Sequence, residues 1–221
     1  MPRNKYPEET RNKILDVSLA LFLQKGYEQT TILDIVENLG GLTRGAFYHH
    51  FKNKEDVVEA IFFHNQGRKH PFEYAQEAEV ANGLERVQLA MKLALQSNFD
   101  EENVNPLVKL AFSLMNNPRF LAEVHKSNLE SAGFLAPMIA EGIADGSINP
   151  KAGSPQLLAE LTMLLLNFWM MPDLFPSSGD IKELYTKAKL IEQVFVGLGF
   201  YVLDEEMWGM FKQVAKTVMY E

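Results

Sequence analysis

The sequence predicts an all-α protein, in which an N-terminal helix-turn-helix bundle of three or four helices precedes a larger helical domain. Apolar residues recur at helical intervals along most of the chain, as Ile14, Val17 and Leu21 do. Proline and glycine residues interrupt these patterns, and no segment carries a credible strand pattern. We therefore place one domain over residues 1–66 and a second over residues 67–221.

The first two helices have recognisable ends. One helix is predicted over about residues 7–25, with acidic residues in its first turn and Gly26 as its terminator. Thr30 or Thr31 then caps a second helix, and Asp34 stands three residues after Thr31, as in a capping box.

A third helix follows a glycine turn. Gly40 and Gly41 make the turn, and Thr43 caps the helix. Phe47 and Phe51 lie four residues apart, so both point to the same, inner side. Two short helices joined in this way are typical of a helix-turn-helix, whose second helix enters the DNA major groove.

The rest of the chain is predicted to form longer helices. A fourth helix begins after Asn53, and the pattern loosens after Gly67, where Pro71 and Gly83 act as breaks. The later helices are expected at about 84–98, 104–116, 118–144, 155–171, 180–200 and 204–220.

Positive charge is concentrated at one end of the chain. The net charge is −8, but residues 1–54 hold eight Lys and Arg against six Asp and Glu. Residues 55–221 hold thirteen against twenty-three. Phosphates would attract the first segment and repel the rest, although an excess of two charges also fits ordinary variation.

Composition excludes several kinds of site. The chain has no cysteine, which excludes disulfides, thiolate metal sites and cysteine nucleophiles. Polar residues interrupt the apolar stretch 157–171, so it falls short of a membrane span, and the N-terminus lacks the apolar core of a signal peptide. We expect a cytoplasmic protein without membrane contact, metal or cofactor.

The third helix carries the side chains best suited to DNA. A guanidinium such as that of Arg44 can pair with guanine O6 and N7, and Gly45 and Ala46 let the backbone approach closely. Each of these side chains alone is more often plain surface, but together they favour DNA contact. The predicted DNA-binding residues are Thr30, Thr31, Thr43, Arg44, Gly45, Ala46, Tyr48, His49, His50, Lys52 and Lys54.

This region resembles the N-terminal domain of the TetR family of bacterial transcriptional regulators over roughly residues 10–58. The resemblance implies a homodimer whose third helices occupy successive major grooves. It also implies phosphate contacts at Thr31, Tyr48, His50 and Lys54, and base contacts at 44–46 and His49. The matching residues are Ile14-Leu15, Ala20, Leu21-Phe22, Gly26-Tyr27, Thr30-Thr31, Ile35, Gly40 and the run from Arg44 to Lys54.

Two features depart from the family pattern. The turn through Gly40, Gly41, Leu42 and Thr43 is one residue longer than usual. Leu33 also occupies a position where arginine or another polar residue often reads bases. A longer turn would change the angle of the third helix, so base contacts are affected more than phosphate contacts.

The second domain is expected to bind an effector and to dimerise. The segment 155–171 is apolar nearly all round, so we expect it to pair with 180–200 and their symmetry mates in a four-helix interface. Candidate ligand-binding residues, which a plain core would equally explain, are Met91, Phe112, Met115, Phe134, Met138, Met163 and Trp169.

The leading hypothesis is a homodimeric repressor that a small molecule releases from a palindromic operator. A ligand-independent regulator or activator would use the same docking domain. A helical small-molecule carrier without DNA binding is the alternative from a different class. An enzyme is not predicted, because the sequence offers no paired carboxylates, no nucleophile with an adjacent base and no phosphate-cradling loop.

Overall fold

The computed structural model describes residues 7–63, 69–100, 103–149, 151, 153–169 and 181–219. The chain divides into two compact units. The first contains residues 1–67 together with 117–123, and the second contains 68–116 and 124–221. Almost all regular structure in the described residues is helical, which confirms the predicted all-α class.

The first unit contains the four predicted N-terminal helices. These are α1 (Pro7–Lys25), α2 (Ile32–Asn38), α3 (Arg44–His50) and α4 (Lys54–Phe62). Gly26 ends α1 with φ at 86°, the left-handed conformation that glycine adopts without a steric penalty.

Side-chain caps fix where α2, α3 and α4 begin. Thr31 and Asp34 form the reciprocal capping box, so Thr31 rather than Thr30 is the cap of α2. The Oγ1 atom of Thr43 accepts a hydrogen bond from the amide of Ala46. Asn53 caps α4 in the same manner. Each cap is expected to stabilise its helix by about 1 kcal/mol.

The core of the first unit lies beneath α3. Phe47 is fully buried and Phe51 is 4% exposed. Ile14 from α1 and Ile35 from α2 are also fully buried. Their removal from water is the main force that holds the short helices together, since seven-residue helices are marginal alone.

The segment 117–123 completes the first unit. The ring of Phe120 packs against those of Phe62 and Phe63, with centroids 5.1 and 5.3 Å away. The guanidinium of Arg119 lies 2.7 Å from the carboxylate of Asp56 and 2.6 Å from that of Glu59. Sequence patterns alone place this segment wholly in the second domain.

The second unit is built from longer helices, close to the predicted positions. The described elements of this unit are α5 (Pro71–Glu77), α6 (Gly83–Gln96), β1 (Phe99–Asp100), β2 (Asn103–Val104), α7 (Pro106–Ser113), α9 (Pro155–Met163), a π-helical turn (Leu164–Trp169), α10 (Ile181–Gly197) and α11 (Glu205–Met219). The helix α8 (Pro118–Asp145) begins in the first unit and continues into the second.

Two short elements were not predicted. Pro71, interpreted as a break, is instead the first residue of α5, a position where proline fits a helix well. The pairs Phe99–Val104 and Asp100–Asn103 form a small antiparallel hairpin, which corrects the prediction that the chain has no strand. Two residues are too few to show the alternation by which strands are recognised.

The segment predicted as one helix over 155–171 changes its winding. It is α-helical to Met163 and π-helical from Leu164 to Trp169, and Met170 and Met171 lie outside the described residues. A π-helical turn bonds i to i+5 and is wider than an α-helix, so side chains after Met163 leave the α-helical register. No helix of the described chain is long and apolar enough to cross a membrane.

Candidate nucleic-acid interface

The side chains of α3 divide between the core and the surface. Phe47 is fully buried, whereas the next residue, Tyr48, is 47% exposed. Arg44, Gly45 and His49 are also exposed. The two inward rings therefore anchor the helix from beneath and leave its polar side open, as the sequence predicted.

The first turn of α3 has a small residue, Gly45, beside its cap, so little side-chain volume covers the backbone there. Arg44 is the first residue after the Thr43 cap. Gly45 follows it, and the nearest atom to a Cβ placed there is the Thr43 Oγ1 atom, at 3.6 Å. The Oγ1 atom of Thr43 accepts from the amide of Ala46, so its hydroxyl proton stays available to an acceptor such as a phosphate oxygen.

The two threonines before α2 have different roles. Thr31 is exposed, and its hydroxyl donates to the carboxylate of Asp34 over 2.6 Å. Thr30 is fully buried, and its hydroxyl donates to the carbonyl oxygen of Gly26 over 2.8 Å. The prediction that Thr30 contacts DNA is therefore corrected, because its side chain holds the turn after α1 instead.

The negative charge of Asp34 is offset within the unit. The Lys25 ammonium lies 2.6 Å from its carboxylate. Hydrogen bonds from Lys25 and then Thr31 hold the pKa of Asp34 well below its ordinary value. The capping box thus stays intact through the neutral range, with a cation placed against the only acidic side chain of the first turn of α2.

The two lysines that follow α3 differ in their contacts with the rest of the unit. Lys52 is exposed, whereas Lys54 donates from Nζ to the carbonyl oxygen of Tyr27 and lies 4.3 Å from the centre of its ring. The Lys54 ammonium retains two further protons for a phosphate. This contact ties the start of α4 to the turn that follows α1.

His50 is less accessible than His49. The Nε2 atom of His50 is buried, with no hydrogen-bond partner among the described residues. Burial, followed by the charges of His49 and Arg11, lowers the pKa of His50. Arg11 also lies 5.6 Å from the Phe51 ring centre and adds a positive charge at this end of α3. The sequence pattern does not reveal Arg11, because it lies on α1, outside the helix-turn-helix.

The two departures from the family pattern lie at the surface. Gly40 and Gly41 have φ values of 61° and 93°, so the longer turn is built from two consecutive left-handed residues. Leu33 is 49% exposed on α2. An apolar side chain at that point offers a base methyl group a contact but no hydrogen bond.

The predicted ligand-binding residues of the second unit do not form one set. Met91, Met138 and Met163 lie in its buried core. Phe134 and Trp169 are partly buried against that core. Phe112 and Met115 lie outside this cluster, although Met115 is 4% exposed.

Comparisons with known proteins point to one family. Residues 14–61 match the family described as "Bacterial regulatory proteins, tetR family". Over 92 residues the chain is 36% identical to the HTH-type transcriptional regulator SrpR of Pseudomonas putida, an alignment that covers 41% of each chain. Over 150 residues it is 28% identical to the HTH-type transcriptional repressor KstR2 of Mycolicibacterium smegmatis, covering 65% of this chain and 70% of that one.

The fold agrees with these matches. The structure of Salmonella enterica GusR superposes with a TM-score of 0.59 at 19% identity, over 87% of this chain and 98% of that chain. The alignment with SrpR spans less than half of that relative's length. Residues 14–61 therefore place the N-terminal domain in the tetR family of bacterial regulatory proteins.

Proposed function

We propose that the protein is a homodimeric repressor that binds a palindromic DNA operator and is released from it by a small-molecule effector. The observation that carries the DNA-binding part is the division of α3. Its apolar side rests on the core through Phe47, and Arg44, Tyr48 and His49 are presented together on the outside. Thr31, Thr43, His50, Lys52 and Lys54 supply the proposed flanking contacts to phosphate.

Exposed apolar side chains of the second unit support a homodimer. Leu157 and Leu164 are 64% and 54% exposed on α9 and the π-helical turn. Leu190 and Val194 are 44% and 42% exposed on α10. Such side chains favour burial against a second copy, and a two-fold axis would match the symmetry of an inverted-repeat operator.

Release by a ligand requires two conformations of the dimer. Operator half-sites demand recognition helices about 34–36 Å apart, so a small change in separation weakens both contacts together. A ligand that favours the released form a hundredfold shifts the equilibrium by about 2.7 kcal/mol. The name of KstR2 describes a repressor, which supports this direction of regulation by analogy.

The test begins with an operator selected from random duplexes by the full-length protein. Binding is then measured by fluorescence anisotropy at increasing salt. We expect the logarithm of affinity to fall linearly with the logarithm of salt, at about 0.9 per neutralised phosphate. A flat plot, or failure to select any duplex, would refute DNA binding.

Matched lysines test whether the phosphate contacts lie where we place them. Lys52→Ala should lower the salt slope by about 0.9 for each subunit, which is about 1.8 for the proposed dimer. Lys151→Ala removes another exposed positive charge, in the second unit, and should leave the slope unchanged. Equal effects of the two substitutions would assign the attraction to overall charge instead of to the surface around α3.

The direction of regulation is tested in cells. Deleting the gene should raise transcripts from promoters that carry the selected operator, since a repressor blocks them. A fall in those transcripts would identify an activator that uses the same docking surface.

A further inference from the structure

One buried amide of the second unit uses only part of its hydrogen-bonding capacity. Asn128 lies on α8 and is 9% exposed. Its Oδ1 atom accepts a hydrogen bond of 2.6 Å from the Nδ2 atom of Asn167. Its own Nδ2 atom is buried, and no acceptor for it exists among the described residues. Since a buried donor without an acceptor is costly, something must compensate for keeping it there.

The other two buried polar side chains among the described residues of this unit are satisfied. The hydroxyl of Thr162 donates to the carbonyl oxygen of Leu158 over 2.7 Å. The Oγ atom of Ser131 lies 3.2 Å from the Nε2 atom of His70. Among the described residues of the second unit, the Nδ2 atom of Asn128 is the one buried side-chain polar atom without a hydrogen-bond partner. Such a donor fits an acceptor that comes from outside the chain.

The partner of Asn128 belongs to the π-helical turn. Turns of this kind are rare and concentrate at functional sites, because the wider winding re-aims side chains. The Nδ2 atom of Asn167 also lies 3.9 Å from the sulfur of Met163. Next to Asn167, the ring of Phe168 lies 6.2 Å from that of His125. The Met163 thioether thus lies against the amide pair, and the Phe168 ring follows Asn167 in the sequence; thioether and aromatic groups suit an apolar ligand body.

Charge restricts the acceptor. Among the described residues of this unit, the buried polar side chains are Asn128, Ser131 and Thr162, and all three are uncharged. A carboxylate or phosphate would lose its hydration here without gaining a buried cation. A carbonyl oxygen accepts a hydrogen bond without a full charge, so it fits the site.

Size restricts the occupant as well. The protein already covers more than nine-tenths of the Asn128 side chain, so a helix of another chain cannot reach its amide. An occupant would have to present a single acceptor atom to this buried donor, as a small molecule does.

We propose that Asn128 recognises the effector, donating from Nδ2 to the carbonyl oxygen of an uncharged, mainly apolar small molecule such as a ketone, ester or amide. The site lies between α8 and the π-helical turn, and binding there would complete the hydrogen bonds of the Asn128–Asn167 pair. This inference rests on the proposed function for the idea that the second unit responds to a ligand.

The test uses the full-length protein labelled with ¹⁵N. The side-chain amide signals of Asn128 are identified by their absence in Asn128→Leu. The probes are ketones paired with alkenes of the same shape, acetophenone with α-methylstyrene and cyclohexanone with methylenecyclohexane, at millimolar concentration. We expect a ketone to move these amide signals downfield and its alkene partner to leave them in place.

Substitutions separate recognition from packing. Asn128→Leu should weaken ketone binding about tenfold, while the apo protein melts at the same or a higher temperature because the unsatisfied donor is gone. Asn128→Asp keeps an acceptor for Asn167 and removes the amide donor, so it serves if the leucine variant does not fold. Thr162→Val is the matched control and should leave ketone binding unchanged.

Several results would overturn the assignment. These are the absence of any ketone effect on the Asn128 signals, equal binding of the alkenes, or full ketone affinity in Asn128→Leu. The last result, with a lowered melting temperature, would make Asn128 a packing residue. These measurements contain no DNA. A negative result would therefore contradict the role of Asn128 without contradicting operator binding.

Discussion

The helix α3 and the π-helical turn are of similar length, seven and six residues, but they are stabilised differently. In α3 the cap, the buried Phe47 and the exposed Tyr48 all lie within six consecutive residues. In the π-helical turn, Asn167 finds its partner Asn128 39 positions away in the sequence. The exposed surface of α3 is thus encoded by neighbouring residues in the sequence, whereas the interior of the second unit depends on contacts between distant segments.

The largest expected effect tests the local anchoring of α3. Phe47→Ala removes a fully buried ring and should lower the free energy of unfolding of the first unit by about 3–5 kcal/mol. Operator binding should be lost with it. Urea denaturation with amide hydrogen exchange over residues 7–63 would measure the change.

Leu33→Ala is the control for Phe47→Ala. Leu33 is 49% exposed on α2, so this substitution should change stability by less than about 0.5 kcal/mol. Similar losses in the two variants would contradict the division of the unit into an anchored core and an open surface.

The next effect concerns base reading by the same helix. Arg44→Ala should weaken binding to the selected operator by about 1–3 kcal/mol per half-site and leave binding to a scrambled duplex nearly unchanged. Anisotropy titrations with both duplexes would show this. An equal loss on the two duplexes would make Arg44 a phosphate contact, and the extra turn residue would then account for the difference from the family pattern.

A pH effect is expected in the second unit. The Nδ1 atom of His70 caps α5 by accepting from the amide of Phe72, and burial lowers the pKa of His70 below 6.5 despite Glu130 and Glu73. The unfolded chain therefore takes up a proton first, so stability should fall as the pH drops below about 6.5. Loss of the cap would remove about 1 kcal/mol.

The variant His70→Asn tests this explanation. Asparagine keeps an acceptor at the cap and does not titrate, so the melting temperature should vary less between about pH 5 and pH 7. An unchanged pH profile would exclude His70 as the cause.

The smallest effect tests the segment that joins the first unit from far along the chain. Arg119→Ala removes its ion pairs with Asp56 and Glu59, all partly exposed, and should cost about 0.2–1 kcal/mol. The loss should shrink at high salt, measured by urea denaturation. A salt-independent loss would assign the effect to packing of the arginine stem, which Arg119→Met would then restore.

Features that depend on neighbouring residues were predicted from the sequence more successfully than features that depend on distant contacts. The caps at Thr43 and Asn53 and the buried face of α3 depend on residues within four positions, and they were predicted correctly. The cap of α2 was predicted as Thr30 or Thr31, and the structure shows that it is Thr31. The prediction that the Thr30 side chain contacts DNA was wrong, because two adjacent threonines cannot be told apart in the sequence. Only the fold shows that the hydroxyl of Thr30 donates to the carbonyl oxygen of Gly26.

Features of the second unit required the fold. The π-helical turn continues the same apolar pattern as α9, so periodicity alone predicts one uninterrupted helix. Asn128 does not stand out in the sequence, because a single polar residue in a long helix is usually solvated. Its burial and its bond to Asn167 depend on how α8 and the π-helical turn pack.

The aromatic contact among Phe62, Phe63 and Phe120 has a consequence for engineering. Chimeric sensors are made by transplanting a DNA-reading module onto a new ligand-sensing body at a junction between them. A cut at residue 67 would leave the transplanted module without the ring of Phe120, exposing two phenylalanines to solvent. A successful graft would therefore carry residues 117–123 along with the first 67, or supply an aromatic side chain in their place.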